Sequence, residues 1–307
     1  MVRHHVCSHR MSENDAIAAT CGEELRLELT SRITPLLEQR IQGMSETAIA
    51  ELSFANLWLF RRSHHWQFHD GDWPCISGVG YDGLHHALPL FDLRKTPTHI
   101  IEKLLNQFGC LFPLSDAEIK GIDSERYQLT SQEADSDYPY PAEQFKQYQG
   151  SALHSKKNLM NQFLGANEVS MVPYTPRLKP EAEHVLDEWL RDKNLNSGDA
   201  DDLPCREALA WSIELGLEGY VYFANGHAAG FLLSEELQPG VWVVRFAKGL
   251  ARFKGISQFM FHHFASCTDR NVQWLNFEQD LGYPNFRKTK TSYQPYALLL
   301  KWRLQLN

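Results

Sequence analysis

Apolar and polar positions alternate with several different periods along this chain. Leu25, Leu29, Ile33 and Leu36 recur at helical spacing, which predicts a helix over 25–37 ending at Pro35. Ile49, Leu52, Leu59 and Phe60 predict a second helix over 45–62, capped by Ser45. Residues 64–93 change to short β-like runs broken by DGDWP, GVGYDG and LPLFD. Ile101, Leu104, Leu105 and Phe108 restore the helical period over 98–112, and 115–135 are polar without a clear period. Tyr138-Pro139-Tyr140-Pro141 reads as extended, because a residue before proline is driven out of the helical region. Helices are predicted from about Ala142 and about Ser151. In the second, Leu153, Met160, Phe163 and Leu164 face a core, and His154, Lys156, Lys157 and Asn158 cover the rest.

Further on, 166–180 predict a strand and linker. Ala182, Val185, Leu186, Trp189 and Leu190 mark an amphipathic helix over 181–191, and 205–217 another. The clearest passage is GYVYFA, Asn225-Gly226, HAAGFLLSEE. The Asn-Gly pair supplies the positive φ angles of a type I′ hairpin turn. Gln238-Pro239-Gly240 predicts a second turn and VWVVRF a third strand. Ile256, Phe259, Met260 and Phe264 then line one helix face. A strand over 272–277, a loop rich in charge, and a strand over 296–302 end the pattern. The loop holds Glu278, Asp280, Arg287, Lys288, Lys290 and Tyr293, with Gly282 and Pro284 interrupting it. Held between two buried strands, such a loop is rigid enough to carry function.

Composition narrows the classes. The chain has 307 residues, 43% of them hydrophobic, and a formal charge of −8. Real cores are expected, and the whole molecule is no polyanion trap, although local basic patches can still hold phosphates. No window approaches the apolar length of a spanning helix. Residues 1–22 lack the apolar core of a secretory signal and read as a disordered tail. Six cysteines without a CxxC pair are expected to be reduced packing residues in a cytoplasmic protein. His65 and His69 have helical metal spacing but sit in a strand-and-turn sequence. With no HExxH or Cys/His framework, no metal is expected and a metal hydrolase ranks last.

The element order is helix, helix, three-strand meander, loop, helix, strand, loop, strand. It resembles the GNAT N-acyltransferase fold. There the loop after the meander enters a helix whose N-terminus holds a cofactor pyrophosphate. Arg252-Phe-Lys-Gly255-Ile-Ser257 is similar to that family's Gln/Arg-x-x-Gly-x-Gly/Ala loop, with Ser257 in the last small position. Longer motifs narrow the resemblance: Ser136-Asp137-Tyr138, the helix from Ser155 to Phe163, Asn276-Phe-Glu278-Gln-Asp280-Leu-Gly282, and Phe286-Arg287-Lys288-Thr289-Lys290-x-Ser292-Tyr293-x-Pro295. Over about 45–305 they resemble soluble bacterial relatives of the phosphatidylglycerol lysyltransferase C-terminal domain.

That resemblance implies an α+β protein of two tandem GNAT-like domains, 23–165 and 166–307. The second is expected to carry the site, and the first, which shows no loop like 252–257, to be structural. Its polar site maps to Asn276, Glu278, Asp280, Arg287, Lys290, Tyr293 and Lys248. It implies transfer of an aminoacyl group from charged tRNA, or of an acyl group from acyl-CoA, to an amine or hydroxyl, with no covalently bound cofactor. Partners would be a tRNA acceptor end or acyl-CoA, with peripheral contact to lipid headgroups; oligomeric state is left open. Two family positions differ: Ala247-Lys248 replaces Glu-Lys, and Asn276-Phe277-Glu278 replaces Asn-Arg-Glu.

Acyl transfer requires a base for the acceptor proton, stabilisation of the oxyanion and a grip on the donor. Glu278 or Asp280 is the candidate base and Tyr293 the candidate proton donor. Lys248, Arg252, Gly255, Ser257, Arg287 and Lys290 are candidates for the donor's phosphates. Asn276, Lys156 and Lys157 are supporting. Each has a plainer alternative: the acids and bases of the loop pin one another, Tyr293 packs in a core, and the 248–254 cations form a solvated face. A non-catalytic module binding a small molecule, RNA or a membrane surface is the competing class.

Overall fold

The computed structural model describes residues 22–42 and 48–307. Strand β1 (Glu23–Glu24) leads to α1 (Thr30–Gln42), followed by α2 (Phe54–Leu59) and α3 (Arg61–His64). A meander of β2 (Gln67–His69), β3 (Cys75–Val79) and β4 (His85–Pro89) precedes α4 (Thr98–Phe108), β5 (Leu111–Leu114), α5 (Asp116–Ile119) and β6 (Tyr127–Ser131). Then come β7 (Pro139–Pro141), α6 (Ala142–Gln147), α7 (His154–Ala166), β8 (Val169–Pro173), α8 (Lys179–Asp192) and α9 (Asp202–Ala210). A second meander, β9 (Glu218–Ala224), β10 (His227–Gln238) and β11 (Val241–Gly249), is followed by α10 (Ile256–Ser266), β12 (Trp274–Asn276), α11 (Pro284–Thr291) and β13 (Trp302–Leu306).

The strands form two sheets, β1-β2-β3-β4-β5-β13-β6 and β7-β12-β11-β10-β9-β8. Each is an antiparallel meander whose last strand is joined by a parallel one after a helix. In the first sheet β4 pairs with β5 around α4, and in the second β11 pairs with β12 around α10. The internal repeat makes the fold α+β. The sheets do not divide at 165/166, however: β13 returns to the first, and β7 adds to the second against β12. A single apolar core also spans both halves. It packs Ile33, Leu57 and Ile76 with Val185, Leu209, Phe231 and Phe246. The outer faces have their own cores, one under α4 and one under α6, α7 and α10.

Several expectations hold. Asn225 and Gly226 both take positive φ at the β9–β10 turn, and Ile256, Phe259, Met260 and Phe264 are buried on α10. Others need correction. Pro35 lies inside α1, which runs on to Gln42. The Ser45 cap falls outside the described residues, and the helix after it is capped by Ser53, whose side chain accepts from the Asn56 amide. The helix over 98–112 stops at Phe108, because Gly109 takes φ +78 and lets the chain turn into β5. The indistinct 115–135 contain α5 and β6. The charged loop after β12 contains α11. Pro284 starts that helix rather than breaking the chain, since a proline needs no amide partner in the first turn. The last strand is 302–306; within 296–302 an isolated bridge joins Leu299 to Asp137.

Candidate functional site

A bulge in the second meander sets the site. Leu233 pairs with Phe246 but Ser234 pairs with Val244, so Arg245 is the extra residue on β11. A bulge turns such a side chain off the regular alternation. The Arg245 guanidinium is fully buried, and burying a charge is tolerable only when partners surround it. Its Nε donates to Glu235 at 2.9 Å and its Nη2 to the Ala50 carbonyl at 2.9 Å, while Nη1 pairs with Glu278 Oε1. Asn56 Nδ2 approaches the same Glu278 oxygen at 3.4 Å.

Glu278 takes φ +56, unusual for a residue with a side chain. Asn276 holds it there by accepting the Glu278 amide at 2.8 Å. Burial raises the Glu278 pKa, and Arg245 limits the rise. Its second carboxylate oxygen makes no hydrogen bond among the described residues, and 18% of the side chain stays exposed.

Beside this pair lies a second buried cluster. Lys301 Nζ sits 2.6 Å from Glu51 Oε1, 2.6 Å from Asp137 Oδ1 and 3.2 Å from Gln279 Oε1. Asp137 Oδ2 accepts from the Ala50 amide at 2.7 Å and Asn276 Nδ2 at 3.0 Å. Glu51 Oε2 is buried with no hydrogen-bond partner among the described residues. Burial lifts the Glu51 pKa to about 7, against the pull of Lys301 and with a push from Asp137.

The remaining charges of the 277–293 segment fasten it. Lys290 Nζ donates to the carbonyls of Phe277, Glu278 and Gln279 at 2.6, 3.1 and 2.5 Å. Burial draws its pKa down to about 8, but three carbonyl acceptors use all three ammonium protons, which favours the charged form. Asp280 accepts from Arg287 Nε at 2.7 Å, Tyr138 at 2.6 Å and the Gly282 amide at 2.7 Å. Burial would raise the Asp280 pKa, but the bonds from Arg287 and then Tyr138 outweigh it and hold it low.

Thus Asn276, Glu278 and Lys290 converge, with the Asp280–Arg287 pair closing the following turn. Tyr293 sits elsewhere, in an aromatic cluster with Phe145, Phe261 and Phe277, its hydroxyl accepting from Gln258 at 2.8 Å. Lys156 lies over that ring and donates to Ser292; Lys157 is exposed. Lys248 donates to Asp201 at 2.6 Å and stacks on Trp189, and Arg252 pairs with Glu188. Gly255 and Ser257 line a separate cavity of about 270 Å³ with Trp189, Asp192, Ala247 and Lys254. A Cβ at Gly255 would strike the Leu159 carbonyl, so that glycine admits helix α7. Just before that loop, the Ala251 amide donates to Asp192 at 3.2 Å.

The first half reaches the site through the Ala50 carbonyl on Arg245 and through Asn56 beside Glu278. Tyr81, at the tip of the β3–β4 hairpin, stacks edge-on against His64. It keeps 57% of its surface exposed, yet its phenol pKa is raised, first by withdrawal from water and then by Glu278, Glu51 and Asp201. Sequence reasoning missed Arg245, Glu235, Glu51, Tyr81 and Lys301. For two a signal existed: Arg245 interrupts VWVVRF and Lys301 interrupts ALLLKW, and a cation inside an apolar run is buried with a partner or not buried at all. No helix among the described residues is long and apolar enough to cross a membrane, and no group of three His, Cys, Asp or Glu among them could hold a metal ion.

A family model described as phosphatidylglycerol lysyltransferase, C-terminal, matches residues 44–304. Among solved structures, a conserved protein of unknown function from Bacteroides thetaiotaomicron VPI-5482 is similar with TM-score 0.78 and 23% identity, over 94% of this chain and 99% of that one. L-PGS from Bacillus licheniformis is similar with TM-score 0.60 and 14% identity, over 93% of each chain. FemX is similar with TM-score 0.61 and 6% identity, over 92% of this chain and 96% of that one. The fold is GNAT-like. No curated protein matches the sequence.

Proposed function

We propose, from the premise that the chain belongs to the phosphatidylglycerol lysyltransferase C-terminal family, that it moves an aminoacyl group from a charged tRNA to a hydroxyl or amine. The observation that carries this reading is Glu278. Arg245 fixes one of its oxygens, the other makes no hydrogen bond among the described residues, and 18% of the side chain is exposed. Such a carboxylate can take the acceptor's proton as the acceptor attacks the ester carbonyl. Tyr81, kept as a phenol, supplies an O–H donor for the developing oxyanion. Asp280, Arg287 and Lys290 then hold the backbone that presents Glu278.

Charge favours the aminoacyl donor over acyl-CoA. With Glu51 protonated, Asp137, Asp201, Glu235 and Glu278 match Arg245, Lys248, Lys290 and Lys301, so no cation of this cluster is left over for the phosphates of CoA. The loop suited to a pyrophosphate has Arg252 committed to Glu188, and the Ala251 amide just before it is committed to Asp192.

The test is transfer of labelled amino acid from a charged tRNA mixture to a panel of acceptors, including anionic lipid vesicles and small amines, with a parallel CoA titration. Glu278→Gln is expected to slow transfer by about 10²–10⁴-fold, the range for a positioned base. Acyl-CoA consumption with no use of charged tRNA would overturn the choice of donor. Binding without any transfer would leave the competing reading, a non-catalytic module. That alternative draws on how completely Asp280, Arg287 and Lys290 are occupied in holding the loop.

A further inference from the structure

We propose that Glu51, from the first half of the chain, is the acid that protonates the leaving oxygen of the donor, opposite Glu278 as base. This rests on the transferase reading above and assigns it a second proton-handling residue.

Glu51 follows the Asp137-anchored Ala50 amide and stands just before the Ser53 cap of α2. One oxygen is fixed by Lys301. The other is shielded from water and finds no protein partner among the described residues. A buried carboxylate oxygen left unpaired costs free energy, and the structure removes that cost if the oxygen carries a proton. A protonated oxygen without an acceptor is a donor waiting for one. The side chain as a whole keeps 16% of its surface exposed, with Oε2 itself covered. It also adjoins the rest of the site, because Arg245 bonds both the Ala50 carbonyl and Glu278.

The groups facing Glu51 are Lys301 and Asp137, with Arg245 bonded to the Ala50 carbonyl next door. Lys301 divides its ammonium between two carboxylates and Gln279, so it cannot neutralise Glu51 fully. Burial and Asp137 then push the Glu51 pKa up to about 7, whereas Arg245 restrains Glu278. Of the two carboxyls, Glu51 has the bare buried oxygen and Glu278 the oxygen held by Arg245, and this difference in partners assigns the acid and the base.

The step balances without a further reactant. The acceptor's proton passes to Glu278 Oε2 as its oxygen or nitrogen bonds to the ester carbon and the carbonyl electron pair moves to oxygen. When that pair returns, the bond from carbon to the ribose oxygen breaks, and that oxygen takes the proton of Glu51 Oε2. Glu278 ends protonated and Glu51 ionised. Exchange with water restores both after release.

The experiment compares two donors with the full chain and one acceptor: an aminoacyl-tRNA, whose leaving oxygen needs a proton, and the p-nitrophenyl ester of the same amino acid, whose leaving group does not. Glu51→Gln is expected to slow the tRNA reaction at least 100-fold and the nitrophenyl reaction less than 5-fold. In the wild type, transfer from tRNA is expected to fall above about pH 7 as Glu51 loses its proton, and this limb should vanish in the variant. Glu51→Asp keeps the Lys301 partner if Glu51→Gln folds poorly. It should retain the pH limb with a slower rate. Equal slowing of both donors, or an unchanged limb in Glu51→Gln, overturns the acid assignment alone. A wild type that transfers from neither donor overturns the transferase reading and this assignment with it.

Discussion

Replacing Arg245 by Met tests whether the bulge on β11 exists to carry a charge. The substitution keeps much of the buried stem volume and removes the fork. Lost with it are the bonds to Glu235 at 2.9 Å and to the Ala50 carbonyl at 2.9 Å, and the ion pair with Glu278. Because the guanidinium has no exposure, water cannot take its place. Two carboxylates then face each other without a cation, and breaking a buried pair from one side costs about 3–5 kcal/mol. Urea unfolding followed by tryptophan fluorescence measures the loss. A double-mutant cycle isolates its cause: with Glu278→Gln present, one abandoned partner is an amide, and Arg245→Met should cost about 1–3 kcal/mol less than in the wild type. A cost below about 1 kcal/mol, or additivity within about 0.5 kcal/mol, would refute the idea that Arg245 balances Glu278.

Three shorter tests follow. Gly255→Ala places a Cβ against the Leu159 carbonyl at φ +96, so thermal melts should show a loss of about 2–4 kcal/mol; a neutral result would mean α7 is free to shift. Asp280→Asn should destabilise the protein at neutral pH. The folded Asp280 pKa lies below its ordinary value, so its contribution is present above the unfolded pKa and lost as pH falls through the folded one. The stability difference between wild type and variant should therefore shrink on acidification, as read from melts at stepped pH. Tyr81→Phe keeps the ring on His64 and removes the hydroxyl, so transfer should fall about 10–100-fold with the melting temperature unchanged.

Local patterns made the second meander legible. Asn225-Gly226 fixes a turn, alternation fixes its strands, and the face of α10 follows from Ile256, Phe259, Met260 and Phe264. Asn276, Glu278 and Lys290 were readable as a cluster because they sit within one short segment. Their roles were not. Lys290 reads as a phosphate ligand until three carbonyls are seen around it, and Arg287 until Asp280 is. Tyr293 was misleading for another reason: its side chain points into the aromatic core behind the loop, a direction set by packing against Phe145 and Phe261. Glu51, Asp137 and Lys301 lie far apart in sequence. Each is a single polar residue whose meaning depends on which strand neighbours which, and spacing does not encode that.

The return of the chain explains why the site belongs to neither half. Residues leading into β7 leave the first sheet for the second, and residues leading into β13 travel back. They meet at the junction, where Asp137 and Leu299 exchange amide–carbonyl bonds at 3.1 and 3.0 Å. This pairing brings Asp137 and Lys301 within 2.6 Å, and Glu51 joins them from the first half. Arg245 reaches across to the Ala50 carbonyl from the second. A buried network with members from four distant segments forms only after the two sheets have docked. Its acids and cations would otherwise be left uncompensated, so the network disfavours partly assembled states while fixing the placement of Glu278 and Glu51. The same bonds that hold the halves together thus hold the two carboxyls in place, Glu278 to take the acceptor's proton and Glu51 to give its own to the leaving oxygen.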